Sequence, residues 1–229
     1  MTWHPKRPGD MPIRIPELIS PLRYDVLVRA KFFDFLSARP AGESVDHLVR
    51  AAWAEPYAVW FREVAMARFR PWVLEDPGAM QSGYTERVVA SRDLLRSFHT
   101  NGFDTRAPVT LRVTSGVQVA DSGARTSHTV HVGDGGHRLA LLLQSESDLQ
   151  PGMYRLDPRP RRVIDNTARL VGPLRISDTE YCAFLQPGYT QQECPDLETL
   201  VAVVAQDPSA AAELRTVMEA QGRTLRPVV

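Results

Sequence analysis

Between Thr129 and Leu143 the chain changes its period within a few residues. Thr129-Val-His-Val132 alternates like a strand, Gly133-Asp-Gly-Gly136 permits tight turning, and His137-Arg-Leu-Ala-Leu-Leu-Leu143 reads as the start of a buried helix that ends near Gln150-Pro151-Gly152. A strand that passes through a glycine turn straight into an apolar helix commits the chain to a mixed α+β fold. The same junction carries chemistry. Unpaired backbone N–H groups and the positive end of a helix dipole attract an anion, and an arginine adds a forked donor, so the residues suit a phosphate. An ordinary strand-to-helix turn fits them equally, with Asp134 as N-cap and His137 and Arg138 solvated. The spacing is not that of a P-loop, and no G-x-G-x-x-G can be laid over it.

Upstream, Met11 to Ile19 alternates apolar residues with Pro12 and Arg14, which predicts a short edge strand. From Asp25, Val26, Leu27, Ala30, Phe33 and Leu36 follow helical spacing until Arg39-Pro-Ala-Gly42. Ser44 is a natural N-cap for the next helix, Pro56 breaks it, and a further helix is expected from about Thr85 to Asn101-Gly102. Trp53 and Trp60 are expected to pack on each other or on a neighbouring helix. Residues 108–113, 117–119 and 129–132 read as short strands of a meander, with Met153 to Leu156 as one more. Ser177-Asp-Thr-Glu180 is a capping box, and two amphipathic helices are expected at Leu197–Gln206 and Ser209–Gln221.

Charge restricts the partners. The 229 residues hold 27 basic and 27 acidic side chains, so there is no net field to gather nucleic acid or an anionic membrane surface. Met1 to Asp10 lacks the apolar core of a signal peptide, and the longest apolar runs fall far short of the roughly 20 residues that span a bilayer. A soluble cytoplasmic protein is expected. Cys182 and Cys194 are too few for a disulfide scaffold, and His128 and His131 point to opposite faces of a strand, which argues against zinc shared with His137. No metal site is expected from the protein's own side chains.

The run Asp134-Gly-Gly-His-Arg-Leu139, between a strand and an apolar helix, resembles the signature of the ParB/sulfiredoxin superfamily, and Ile13-Arg-Ile-Pro-Glu-Leu-Ile-Ser-Pro-Leu22 is similar to the opening of that core. The resemblance covers residues 11–36 and 107–157. It implies one α+β domain over residues 1–229, with residues 37–106 as a large helical insertion and 165–229 as a mainly helical extension. Two departures narrow the function. Gly136 stands where sulfiredoxins place their nucleophilic cysteine, which excludes sulfinic-acid reduction by that route. The DNA-partitioning members carry an arginine-rich motif and a downstream helix-turn-helix, for which residues 165–229 offer no counterpart.

What remains resembles the small-molecule kinases of the superfamily. That implies a nucleotide-dependent phosphotransferase using ATP or ADP with Mg²⁺ on a small hydroxylated metabolite. Gly135, Gly136, His137 and Arg138 fall on the phosphate turn, with Arg23 as a second phosphate ligand. Asp134 falls where a carboxylate can orient Mg²⁺ or the attacking hydroxyl, His137 joins it at the catalytic position, and Glu17 is the candidate general base. A non-catalytic nucleotide- or anion-binding module is the alternative, and a ParB-like nuclease or DNA-binding protein the second alternative.

Overall fold

The computed structural model describes residues 12–19, 23–120, 123–157, 166–177 and 179–180. Instead of an edge strand, the first segment makes one antiparallel bridge, Ile13 with Leu149, and then a 3-10 turn at Ile15–Leu18. Pro12 and Pro16 account for this, because neither has an N–H to give a ladder. Helix α1 (Tyr24–Ser37) follows and buries Val26, Val28, Phe32, Phe33 and Leu36. No side chain of its own caps it. Thr167 Oγ1 accepts from the Tyr24 N–H at 3.0 Å, across 143 positions of sequence.

Helix α2 (Val45–Ala52) starts as expected, with Ser44 Oγ accepting from the His47 N–H. Pro56 opens α3 (Pro56–Trp60) at a position where its missing N–H costs nothing. The helix widens to π geometry over Phe61–Met66, returns to α4 (Ala67–Phe69) and passes through a 3-10 turn at Pro71–Glu75. Helix α5 (Pro77–Asn101) begins at Pro77 rather than near Thr85. Asp76 accepts from the N–H groups of Gly78 and Ala79 and Pro77 takes the first helical position, so residues with loop-like composition form a capped start. The two tryptophans do not meet: Trp53 lies 4.2 Å from Tyr84 and Trp60 lies 4.9 Å from Tyr57, between ring centroids.

Strands β1 (Val109–Ala120) and β2 (Gly123–Asp134) form one long antiparallel hairpin, where spacing predicted shorter strands; its tip, Asp121-Ser122, lies outside the described residues. Helix α6 (Gly136–Gln144) follows, ending before the expected Gln150, and β3 (Tyr154–Asp157) joins parallel to β1, giving the order β2-β1-β3. The sequence pattern does not predict α7 (Thr167–Leu174). The capping box closes reciprocally, Ser177 N–H donating to Glu180 Oε2 at 3.0 Å and Glu180 N–H to Ser177 Oγ at 3.2 Å. The helices expected beyond it lie outside the described residues.

The architecture is α+β, with helices around a small mixed sheet. Helix α1 lies on α6, and a single apolar cluster joins Phe32 and Phe33 to Tyr57, Tyr84, Leu111, Leu139 and Leu142. Each such buried side chain contributes about 1.5–3 kcal/mol, so the helical stretch and the strand–helix segment depend on a shared core. Among the described residues no helix is long and apolar enough to cross a membrane.

Candidate functional site at the start of α6

The glycine turn delivers an open helix start. Gly135 is the N-cap, in the left-handed region at φ 87°, and among the described residues no side chain caps the first-turn N–H groups. Asp134 does not cap. It is 74% exposed and lies 3.8 Å from Arg138 Nη2, on the outer side of the turn. Arg138 donates through Nη1 to the Ala107 carbonyl, so its fork faces the loop before β1.

The inner side is a charged cluster carried by α1. Asp25 is fully buried; Arg23 Nε meets its Oδ1 at 2.8 Å and Arg29 Nη2 its Oδ2 at 2.8 Å. Burial alone would raise the Asp25 carboxyl, but Arg23 and Arg29 beside it, with hydrogen bonds from Arg23 and Asn166, hold it at about 2. Arg23 Nη1 also donates to the Val132 carbonyl at 2.9 Å, tying α1 to the end of β2. Arg29 stacks 4.4 Å above the Trp60 ring, and its Nε is buried without a partner, as is Trp60 Nε1. Burial pushes the Arg29 guanidinium below its ordinary value. The cluster sits directly under Gly136: a Cβ there would collide with Arg29 Nη1 and lie 3.4 Å from Arg23 Nη2.

His137 turns inward as well. Its Nε2 lies 2.6 Å from Tyr57 Oη, which lies 3.1 Å from Ser91 Oγ. Trp60 and Phe33 meet the ring edge-on at 5.2 and 6.4 Å. Burial first, then the positive charges of Arg29 and Arg87, hold His137 well below its ordinary pKa, so the ring is neutral.

Of the residues singled out in the sequence, Gly135, Gly136, His137 and Arg23 come together around the helix start. Arg138 and Asp134 lie on the opposite side of the turn. Glu17 belongs to the turn Ile15–Leu18, which lies against α6 and β2; its side chain is outside the described part. Sequence reasoning missed Asp25, Arg29, Tyr57, Trp60 and Ser91. The first two left a signal: an aspartate and an arginine four positions apart in a helix whose other buried residues are apolar or aromatic.

Among the described residues no three His, Cys, Asp or Glu side chains could enclose a metal ion. The side chains of His128 and His131 are outside the described part. A lone exposed carboxylate such as Asp134 fits Mg²⁺ only in the usual nucleotide arrangement, where phosphate oxygens and water supply the other ligands. No protein-family model, curated protein or solved structure matches this chain.

Proposed function

We propose that the chain is a ParB/sulfiredoxin-like phosphotransferase. It seats the phosphates of ATP or ADP at the start of α6 and passes a phosphoryl group to a hydroxyl of a small metabolite. The supporting observation is the unbalanced charge under the turn: two buried guanidinium groups face one carboxylate, beside a neutral histidine and an uncapped helix start. A buried excess positive charge is costly until an anion compensates it, and first-turn N–H groups are the donors an oxyanion needs. In this reading Gly136, His137 and Arg138 offer backbone N–H groups to the phosphate, and Arg23 and Arg29 supply the field behind them. Arg138 leaves the Ala107 carbonyl to fork onto the phosphate. Asp134, at the exposed rim, meets Mg²⁺ carried by the nucleotide, and Glu17 serves as base toward the acceptor hydroxyl.

Calorimetric titration with ATP, ADP and CTP in the presence of Mg²⁺ tests this directly. One nucleotide is expected to bind, and Arg138→Ala to weaken it about tenfold or more, the usual loss for a charged hydrogen bond. Absence of binding by all three, or binding unchanged in Arg138→Ala, would remove the reading. A second reading, a ParB-like module that binds nucleotide without consuming it, draws support from one observation. His137, assigned a catalytic position from sequence, is neutral and tied to Tyr57. Incubation with a panel of hydroxylated metabolites separates the two, because only the enzyme releases a phosphorylated product.

A further inference from the structure

We infer that Tyr57 and Ser91, both from the helices between α1 and β1, are positioning residues that fix His137 as its Nε2–H tautomer. This leaves Nδ1 as a hydrogen-bond acceptor for a hydroxyl of the ligand. The nearer partner of the Ser91 hydroxyl selects the tautomer. Ser91 has one hydroxyl hydrogen, and the Arg87 carbonyl at 2.9 Å, a group that can only accept, is closer to it than Tyr57 Oη at 3.1 Å and takes that hydrogen. Ser91 Oγ therefore accepts at 3.1 Å from the Tyr57 hydroxyl, whose only hydrogen is spent there. Facing His137 Nε2 at 2.6 Å, Tyr57 Oη can then only accept, so Nε2 carries the hydrogen.

Nothing in the surroundings loosens this chain. Burial pushes the Tyr57 hydroxyl up to about 12, so it keeps its proton. The His137 ring is gripped edge-on by Trp60, Tyr57 and Phe33, which opposes a ring flip. A neutral ring with hydrogen on Nε2 has a bare lone pair on Nδ1, the nitrogen nearest the main chain of the α6 first turn. Among the described residues no protein donor reaches it. A phosphate oxygen cannot donate to that lone pair, whereas a ligand hydroxyl other than the one whose hydrogen goes to Glu17 can. The His137 ring, unlike its backbone N–H, is thereby assigned to a hydroxyl rather than to the phosphate. That last assignment rests on the phosphotransferase reading; the tautomer does not.

Ring-nitrogen NMR of the full chain with isotope-labelled histidine decides the matter, with His137→Gln identifying the resonances. The wild-type protein is expected to show Nε2–H. In Ser91→Ala the Tyr57 hydrogen is released toward Nε2, and the tautomer is expected to change to Nδ1–H although no atom touching the ring has been removed. Tyr57→Phe is expected to give a mixture. A wild-type Nδ1–H signal or mixture, or an unchanged tautomer in folded Ser91→Ala, would overturn the lock. Failure of nucleotide binding with an Nε2–H signal removes only the phosphotransferase reading. In a turnover assay Ser91→Ala is expected to lower kcat about tenfold, the order of one lost hydrogen bond, with nucleotide affinity unchanged. An unchanged kcat would overturn the role of Nδ1.

Discussion

Two carboxylate–arginine pairs, each four residues apart, sit at opposite ends of α1. Asp25 and Arg29 at its beginning are buried, with side chains 0% and 9% exposed, and Arg23 joins them. Arg39 and Glu43 beyond its end form the same pair with His47; there the carboxylate is covered, at 6% exposed, while its partners Arg39 and His47 reach solvent at 28% and 63%. The residue types are nearly the same, yet the consequences differ. Solvent reaches both cations of the outer group and can take the place of either. Nothing can replace Asp25, because two guanidinium groups only 9% and 15% exposed depend on its charge.

The largest effect expected from breaking this contrast is Asp25→Ala, which leaves two like charges buried together. A loss of about 3–5 kcal/mol in urea unfolding is expected, enough to unfold many domains of this size. Acid comes next, and for the inner cluster its sign follows from two depressed groups, His137 and Asp25. His137 is held below its ordinary 6.5, so stability is full above that pH and falls by about 1.4 kcal/mol per pH unit below it, a slope that His137→Gln should abolish. Asp25 is held at about 2 against an ordinary 3.8, so its share, on the order of 2 kcal/mol, is present above pH 3.8 and lost as pH falls toward 2. Smallest is Glu43→Gln, which frees two cations that solvent can reach, so the denaturant midpoint should move less than in Asp25→Ala. A loss there comparable to that of Asp25→Ala would show that exposure of the cations does not distinguish the two pairs.

Local signals in the sequence were sufficient wherever a residue acts on its own neighbours. Ser44, Pro56, Gly102 and the Ser177–Glu180 box all work within four positions, and each stands where the pattern predicts. Pro77 misled the reading because proline and glycine mark loops as often as they open helices, and only the Asp76 cap distinguishes the cases. The α6 junction was legible for the same local reason, but its surroundings were not. Tyr57 reaches His137 across 80 positions and Arg23 reaches Val132 across 109. No periodicity within one segment encodes which distant helix will face it. The sequence therefore pointed to Arg138, the arginine adjacent in the chain, while packing placed Arg23 and Arg29 beneath the turn.

The glycines of the junction carry a consequence for how this region can vary. Gly136 makes room for Arg29, and Gly133 for Arg112, whose Nε would lie 2.5 Å from a Cβ at that position. The spacing predicts glycines that permit tight turning; these two also admit the protein's own guanidinium groups from other elements. Each glycine and its arginine are thus one choice made at two distant positions. Alanine at 136 requires the Arg29 guanidinium to leave its place between Asp25 and Trp60 or a shorter residue at 29, so a change at the helix start is expected to change the charge beneath it.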